Sequence, residues 1–387
     1  MPLEPAKAKQ RSWTEGGVPR VLAVLGLLFV FLVGVKGLGD GITLLGRDAL
    51  DAFFSATANP FIGLMVGLLA TTLVQSSSVT TAMIVGLVAA PEDPLPVSLA
   101  VPMIMGANIG TTVTNTVVSL AHMSRRDEFK RAFAVATCHD FFNFITVLIL
   151  LPLELATGFL QRTATAIASR ISHVGGVEYE NPLKEALSLA LSPIKGALGA
   201  VSSGRGTAIL LIIVSGVLIY VALFSIVRVM RSSMEERVES FVTRALGRSV
   251  LLSMLVGIVA TVMVQSSSIT TALLVPLAGA GLITLREAFP ITVGANIGTT
   301  VTALLASMAV SGPHAGAALT IALVHLLFNL TGSALILPVP FMKDLPLKAA
   351  SWLADVAARS RKWALLYVVG LFYLLPALLA FADRFFW

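Results

Sequence analysis

The chain alternates long apolar runs with short polar or basic joints. Seven runs, 21–45, 96–120, 132–152, 207–229, 288–310, 318–338 and 363–381, have the roughly 20 residues that a helix rising 1.5 Å per residue needs to cross a bilayer. Two further apolar stretches, 61–90 and 250–278, are each divided by a polar insert, Gln75–Ser76–Ser77–Ser78 and Gln265–Ser266–Ser267–Ser268. The arms on either side reach only about 20 Å, short of the roughly 30 Å hydrocarbon core. Each stretch therefore predicts a re-entrant helical hairpin with the glutamine and serines at its tip, against the alternative of one kinked crossing.

The two inserts belong to an internal duplication. Val79–Thr80–Thr81–Ala82 returns as Ile269–Thr270–Thr271–Ala272, and Gly106–Ala107–Asn108–Ile109–Gly110–Thr111–Thr112–Val113–Thr114 returns as Gly294–Ala295–Asn296–Ile297–Gly298–Thr299–Thr300–Val301–Thr302. His139–Asp140–Phe141–Phe142–Asn143 returns as His325–Leu326–Leu327–Phe328–Asn329, and Pro152 returns as Pro338. The runs 96–120 and 288–310 carry two glycines and paired threonines in mid-span, which predicts a discontinuous helix in each half, and broken backbone at membrane depth is tolerated where it lines a polar cavity. The expected fold is an all-α integral membrane protein of two inverted repeats, each with a re-entrant hairpin and a discontinuous helix. Its parts are a cytoplasmic N-terminus (1–20), a first repeat with an outer amphipathic segment (21–206), and a second repeat with a cytoplasmic amphipathic segment and a last helix (207–387).

Composition agrees: 56% of the 387 residues are hydrophobic and 12% are charged, against about 25% charged in soluble domains. The run 21–45 is too long for a signal-peptide core and should remain as the first crossing. With the N-terminus inside, the segments 1–20, 121–131, 228–248, 280–287 and 339–362 are cytoplasmic and hold nineteen of the 27 lysines and arginines, the asymmetry that sets orientation. The second hairpin then enters from the cytoplasm and the first from outside, so one site can face either side. The high pI of about 9.7 reflects this bias, not a nucleic-acid surface. The segment 153–206, with Gly175–Gly176 in a turn, reads as amphipathic helices on the outer surface, and 346–361 as its cytoplasmic counterpart. Cys138 is the one cysteine, so no internal disulfide exists.

Polar side chains at membrane depth are costly and mark solute pathways. Glutamine and hydroxyl side chains offer both donors and acceptors, which suits an oxyanion or a hard cation such as sodium, and helix N-termini at the tips add N–H groups and partial positive charge. Neither paired motif contains Lys or Arg, so a substrate's negative charge must be offset by dipoles and co-bound cations. The expected substrate contacts are Ser76, Ser77, Ser78, Ser266, Ser267, Ser268, Thr111, Thr112, Thr299 and Thr300. The expected sodium positions in these motifs are Gln75, Gln265, Asn108, Asn296 and Asp140. Asp140 is a cation or proton site unless it serves only to bond His139 or a helix end. For His139 and His325, bonding between helices outweighs titration, and Lys36 with Asp40, four apart, form a pair without a transport role.

These motifs, with Leu151–Pro152–Leu153–Glu154, resemble the bacterial branch of the type II sodium–phosphate cotransporter family over roughly residues 25–380. The resemblance implies inorganic phosphate as substrate, sodium as the coupling ion with no other cofactor, and a multi-pass protein of the bacterial inner (plasma) membrane with no enzymatic activity. It also implies phosphate or sodium contacts for Ser76, Ser77, Ser266, Ser267 and Thr300, tip-orienting roles for Gln75 and Gln265, an additional sodium at Asp140, and further sodium positions at Asn143 and Asn329. Vertebrate members have a disulfide-closed, glycosylated outer loop, whereas 153–206 has no cysteine. The partners are phosphate, sodium and the lipid bilayer, no nucleic acid, and a homodimer as the assembly to test. Competing readings are a sodium- or proton-coupled transporter of another oxyanion (sulfate or arsenate) and an anion channel. An intramembrane serine hydrolase lacks its Gly-flanked serine turn, and an ATP-driven pump lacks its phosphate loop.

Overall fold

The computed structural model describes residues 17–45, 57–91, 93–174, 182–245, 249–310 and 312–379, and every regular element among them is helical. In chain order the helices are α1 Gly17–Leu45, α2 Pro60–Val74, α3 Ser77–Val88, α4 Val97–Thr111, α5 Val113–Ser119, α6 Arg126–Thr157, α7 Phe159–Val174 and α8 Pro182–Val201. The second half follows with α9 Arg205–Ala245, α10 Val250–Val264, α11 Ser267–Ala272, α12 Leu274–Gly279, α13 Leu285–Ser307, α14 Ala315–Ile336 and α15 Pro340–Arg359. A terminal helix begins as α16, Arg361–Leu366, continues as a π-helical segment Tyr367–Leu374 and reaches Leu379. Among the described residues seven helices are long and apolar enough to cross a membrane, and each coincides with one of the seven predicted runs. The expected Gly175–Gly176 turn lies outside the described residues.

Both predicted hairpins form, by the same local chemistry. Asn59 caps α2 by accepting from the Phe61 amide, and Ser249 caps α10 by accepting from the Leu252 amide. Each outgoing arm ends at its glutamine in the left-handed conformation, with φ 57° at Gln75 and 56° at Gln265. The next serine is extended and caps the returning arm: Ser76 accepts from Val79 N and Ser266 from Ile269 N, both at 3.3 Å. The outgoing arms, 15 residues each, are about 22 Å long and cannot cross alone.

The predicted discontinuity is corrected in the second half only; in the first half the helix is interrupted at Thr112. In the second half α13 runs unbroken for 23 residues, and in the first half α4 and α5 are separated only by Thr112, which keeps helical dihedrals of −74° and −23°. The glycines serve close approach instead. A Cβ on Gly106 would lie 1.9 Å from the Leu64 carbonyl oxygen and one on Gly67 2.0 Å from that of Met103; in the second half Gly294 meets Met254 O at 1.9 Å and Gly257 meets Ile291 O at 2.0 Å. Each hairpin's outgoing arm thus lies backbone to backbone on the glycine-bearing helix of its own half, as small residues allow in membranes.

The halves interlock. Helix α1 packs along α9, α7 packs on α14, and α15 packs on α6, so each half's surface helix rests on the other half's long helix. Two local devices fix the joints. Glu154, from the Leu–Pro–Leu–Glu run, accepts from the Leu160 and Gln161 amides at 2.6 and 3.2 Å and so caps α7. Arg131 donates to the Ala278 and Gly279 carbonyls that end α12, tying the second hairpin's return arm to α6. The expected Lys36–Asp40 pair forms at 3.3 Å, and Lys195 of α8 joins it at 2.6 Å from Asp40.

Candidate functional site

The two tips meet. A cavity of about 280 Å³ is lined by Gln75, Ser76, Ser77 and Ser78 from one hairpin and by Gln265, Ser266, Ser267 and Ser268 from the other, with Tyr220, Leu223 and Phe224 of α9 as a further wall. Among the described residues no acidic or basic side chain lines it. The first turns of α3 and of the α11–α12 arm both lie at the cavity, so their unbonded amides and the positive ends of two helix dipoles converge there. Hydroxyl and amide donors, the groups that suit an anion with several oxygens, are what the cavity offers.

Each tip is held by its own half in the same way. Thr114 donates to Gln75 Oε1 at 3.0 Å, and its repeat counterpart Thr302 donates to Gln265 Oε1 at 3.3 Å. Across the two halves, Ser78 Oγ donates to Thr302 Oγ1 at 3.4 Å and Asn115 Nδ2 donates to Thr271 Oγ1 at 2.7 Å.

The four threonines expected at the substrate lie elsewhere. Thr111, Thr112, Thr299 and Thr300 are buried and donate to carbonyls of their own helix, those of Ala107, Ile109, Ala295 and Ile297. None of them lines the tip cavity. A threonine three or four residues past a carbonyl finds that acceptor locally, which is why their place in the motif did not carry them to the tips.

The four asparagines expected at sodium come together as an amide network between the halves. Asn296 donates to Asn143 Oδ1 at 3.0 Å and to Asn329 Oδ1 at 2.6 Å. Asn143 donates to the Asn108 carbonyl at 2.9 Å and Asn329 to Asn108 Oδ1 at 3.0 Å. His325 Nε2 lies 3.3 Å from Asn108 Oδ1, the expected bonding between helices, whereas neither ring nitrogen of His139 has a partner. The side-chain oxygens of Asn108, Asn143 and Asn329 are engaged by protein donors, so the network first of all joins the halves.

Asp140 is fully buried. One carboxylate oxygen, Oδ2, accepts from Tyr367 of the terminal helix at 2.7 Å and from Thr116 at 3.3 Å, and the other, Oδ1, has no hydrogen-bond partner among the described residues. Asp140 therefore does not anchor His139. The terminal helix also reaches the first tip, where Gln75 Nε2 donates to Tyr373 Oη at 3.4 Å. Sequence reasoning passed over Thr114 and Thr302, although they close the repeated motif. It also passed over Asn115, Thr116, Tyr220, Tyr367 and Tyr373, which stand in no repeated pair and so gave no signal. Among the described residues no cluster of three His, Cys, Asp or Glu side chains forms a metal site.

Comparison with known proteins agrees with this architecture. The family model described as Na+/Pi-cotransporter matches residues 30–169 and 218–339. Human sodium-dependent phosphate transport protein 2B is 31% identical, over 93% of this chain and 64% of its own length. Rat sodium-dependent phosphate transport protein 2A is 32% identical, over 97% of this chain and 69% of its own. The chain thus spans about two thirds of the length of these relatives. No solved structure matches it. Both duplicated segments fall inside the matched regions, and the chain belongs to the Na+/Pi-cotransporter family.

Proposed function

We propose that this protein is a secondary active transporter that imports inorganic phosphate by sodium-coupled symport and alternating access. One observation carries the reading: two copies of one polar tip, from two copies of one hairpin, line a single uncharged cavity. Ser76, Ser77, Ser78, Ser266, Ser267 and Ser268, with the first amides of both returning arms, supply donors to phosphate. Gln75 and Gln265 orient the tips. Thr111, Thr112, Thr299 and Thr300 back the site from the helices on which the hairpins lie. Sodium sits beside Asp140 and the Asn108, Asn143, Asn296 and Asn329 cluster, and offsets the charge that no lysine or arginine offsets.

The halves are inverted in the bilayer, with the first hairpin entering from outside and the second from the cytoplasm, as the distribution of basic residues supports. The protein resides in the bacterial inner membrane. The names of the relatives, sodium-dependent phosphate transport proteins, support the same substrate and ion, and the absence of charged residues at the tips favours phosphate with a co-transported cation over an uncoupled anion channel.

Phosphate uptake into proteoliposomes, with and without an inward sodium gradient, tests this. Uptake should saturate in phosphate and collapse without sodium, and excess sulfate should not compete. Ser77→Ala and Ser267→Ala should each lower uptake by about ten- to a hundredfold, the value of one hydrogen bond to a charged group. Flux linear in phosphate would favour a channel, and full activity in either serine variant would refute the shared site.

A further inference from the structure

The terminal helix stands outside the duplication, yet it touches two groups of the repeated motifs, both in the first half. Tyr367 donates to Asp140 Oδ2 at 2.7 Å, and Tyr373 accepts from the Gln75 amide at 3.4 Å. The repeat counterparts lack these bonds. Leu326 stands where Asp140 does, and the Gln265 amide donates only to the carbonyl of Val262, at 2.8 Å.

The two tyrosines lie at the start and near the end of the π-helical segment. A π turn is rare and concentrates at functional positions. Here it turns the phenol of Tyr367 into the bundle, where Phe133 and Phe372 meet its ring edge-on. Apolar contact accompanies these bonds, with Val368 and Phe372 in the main core together with Leu64 and Leu68 of the first hairpin. An apolar hollow of about 400 Å³ separates Phe61, Leu64 and Leu68 of α2 from Leu371 and Leu375. The polar connections are made by two hydroxyl groups, that of Tyr367 on Asp140 and that of Tyr373 on the first tip.

With Tyr367 and Thr116 both on Oδ2, the carboxylate of Asp140 is held in one orientation and its Oδ1 is left for a ligand. We propose that Tyr367 and Tyr373 are positioning residues for cation coupling: the terminal helix orients Asp140 toward its cation and holds the first tip, and so makes the two hairpins unequal. The inference rests on the reading of Asp140 as a sodium position. It assigns the last helix a role in coupling that the duplicated halves alone do not contain. The first tip is tethered through Tyr373, and the second is free to move relative to the terminal helix.

The test uses purified full-length protein in detergent and in proteoliposomes. Sodium chloride against choline chloride gives the sodium-dependent rise in melting temperature, and uptake gives the half-saturating sodium concentration. Tyr367→Phe keeps the ring and removes the hydroxyl. It should raise half-saturating sodium about ten- to a hundredfold, the effect of losing one hydrogen bond to a charged group, and shrink the sodium-dependent stabilisation. In an Asp140→Asn background the same change should have no further effect on sodium, since the two residues act as a unit. Tyr373→Phe should act the same way through Gln75, with no added effect in Gln75→Ala. A wild-type protein that sodium neither stabilises nor drives would overturn the cation reading and this proposal with it. A wild type that responds to sodium, with Tyr367→Phe and Tyr373→Phe responding identically, would overturn the positioning role alone.

Discussion

Replacing Gly294 with alanine adds one methyl group, 1.9 Å from the Met254 carbonyl oxygen. An ordinary carbon contact needs about 3.5 Å, so α10 and α13 would have to part by roughly 1.5 Å along their tightest line. Backbone cannot rotate away as a side chain can. The cost belongs at the upper end of the overpacking range, about 3 kcal/mol. Against this, alanine favours a helix over glycine by about 1 kcal/mol, which leaves a net loss of about 2 kcal/mol. Gly216 in α9 is the control, because a Cβ there meets nothing within 4 Å and only the propensity gain of about 1 kcal/mol remains. Thermal unfolding in detergent should place Gly294→Ala below the wild type and Gly216→Ala at or above it. Gly106→Ala, whose Cβ would lie 1.9 Å from Leu64 O, should match Gly294→Ala. A Gly294→Ala protein as stable as the wild type would refute the close-approach account and return these glycines to the role of helix breakers.

Arg131→Gln should lower stability by about 1.5–3 kcal/mol, since it removes charged donors from the end of α12, and Arg131→Lys should not restore it because the fork geometry is lost; equal melting of all three proteins would remove this tie. Glu154→Ala should cost about 1–2 kcal/mol as a lost helix cap, with Glu154→Gln between it and the wild type; an unchanged melting point for the alanine variant would mean that the cap is not needed. In a Cys138→Ala background, cysteines at Ala58 and Pro94 should both react with an impermeant thiol reagent from outside, and reaction of only one would mean that the first hairpin crosses the membrane.

The fold was legible largely because a bilayer restricts what a chain can do. Length and hydropathy located all seven crossings, and the polar inserts located both tips to the residue, since a glutamine and three serines in hydrocarbon admit few explanations. The extent of α6 was less legible: the expected span 132–152 extends to Arg126–Thr157, because its first turn carries Asp127 and Glu128, which a hydropathy window rejects and a helix N-terminus accepts. Repetition identified the right motifs but not the use of each letter. Gly106 and Gly294 looked like breaks because glycine is a poor helix former, and only the facing carbonyls of Leu64 and Met254 show why it is required. Tyr367 and Tyr373 were invisible for the opposite reason: they are unduplicated residues in an apolar helix, and their meaning lies in which oxygen they face.

The glycine contacts also bear on how such a molecule could move. Each hairpin is fastened to its own long helix twice, by backbones in contact and by a threonine on the tip glutamine, so hairpin and helix form a block that cannot flex internally without breaking both. Besides apolar packing, polar side-chain bonds join one block to the other: Ser78 on Thr302, Asn115 on Thr271, and the asparagine cluster. These bonds lie between polar side chains that could exchange partners with water or with one another as the surfaces slide. Any displacement of one block along the other would have to break and remake these bonds, with the asparagines as the ratchet teeth that disengage and re-engage at each stroke.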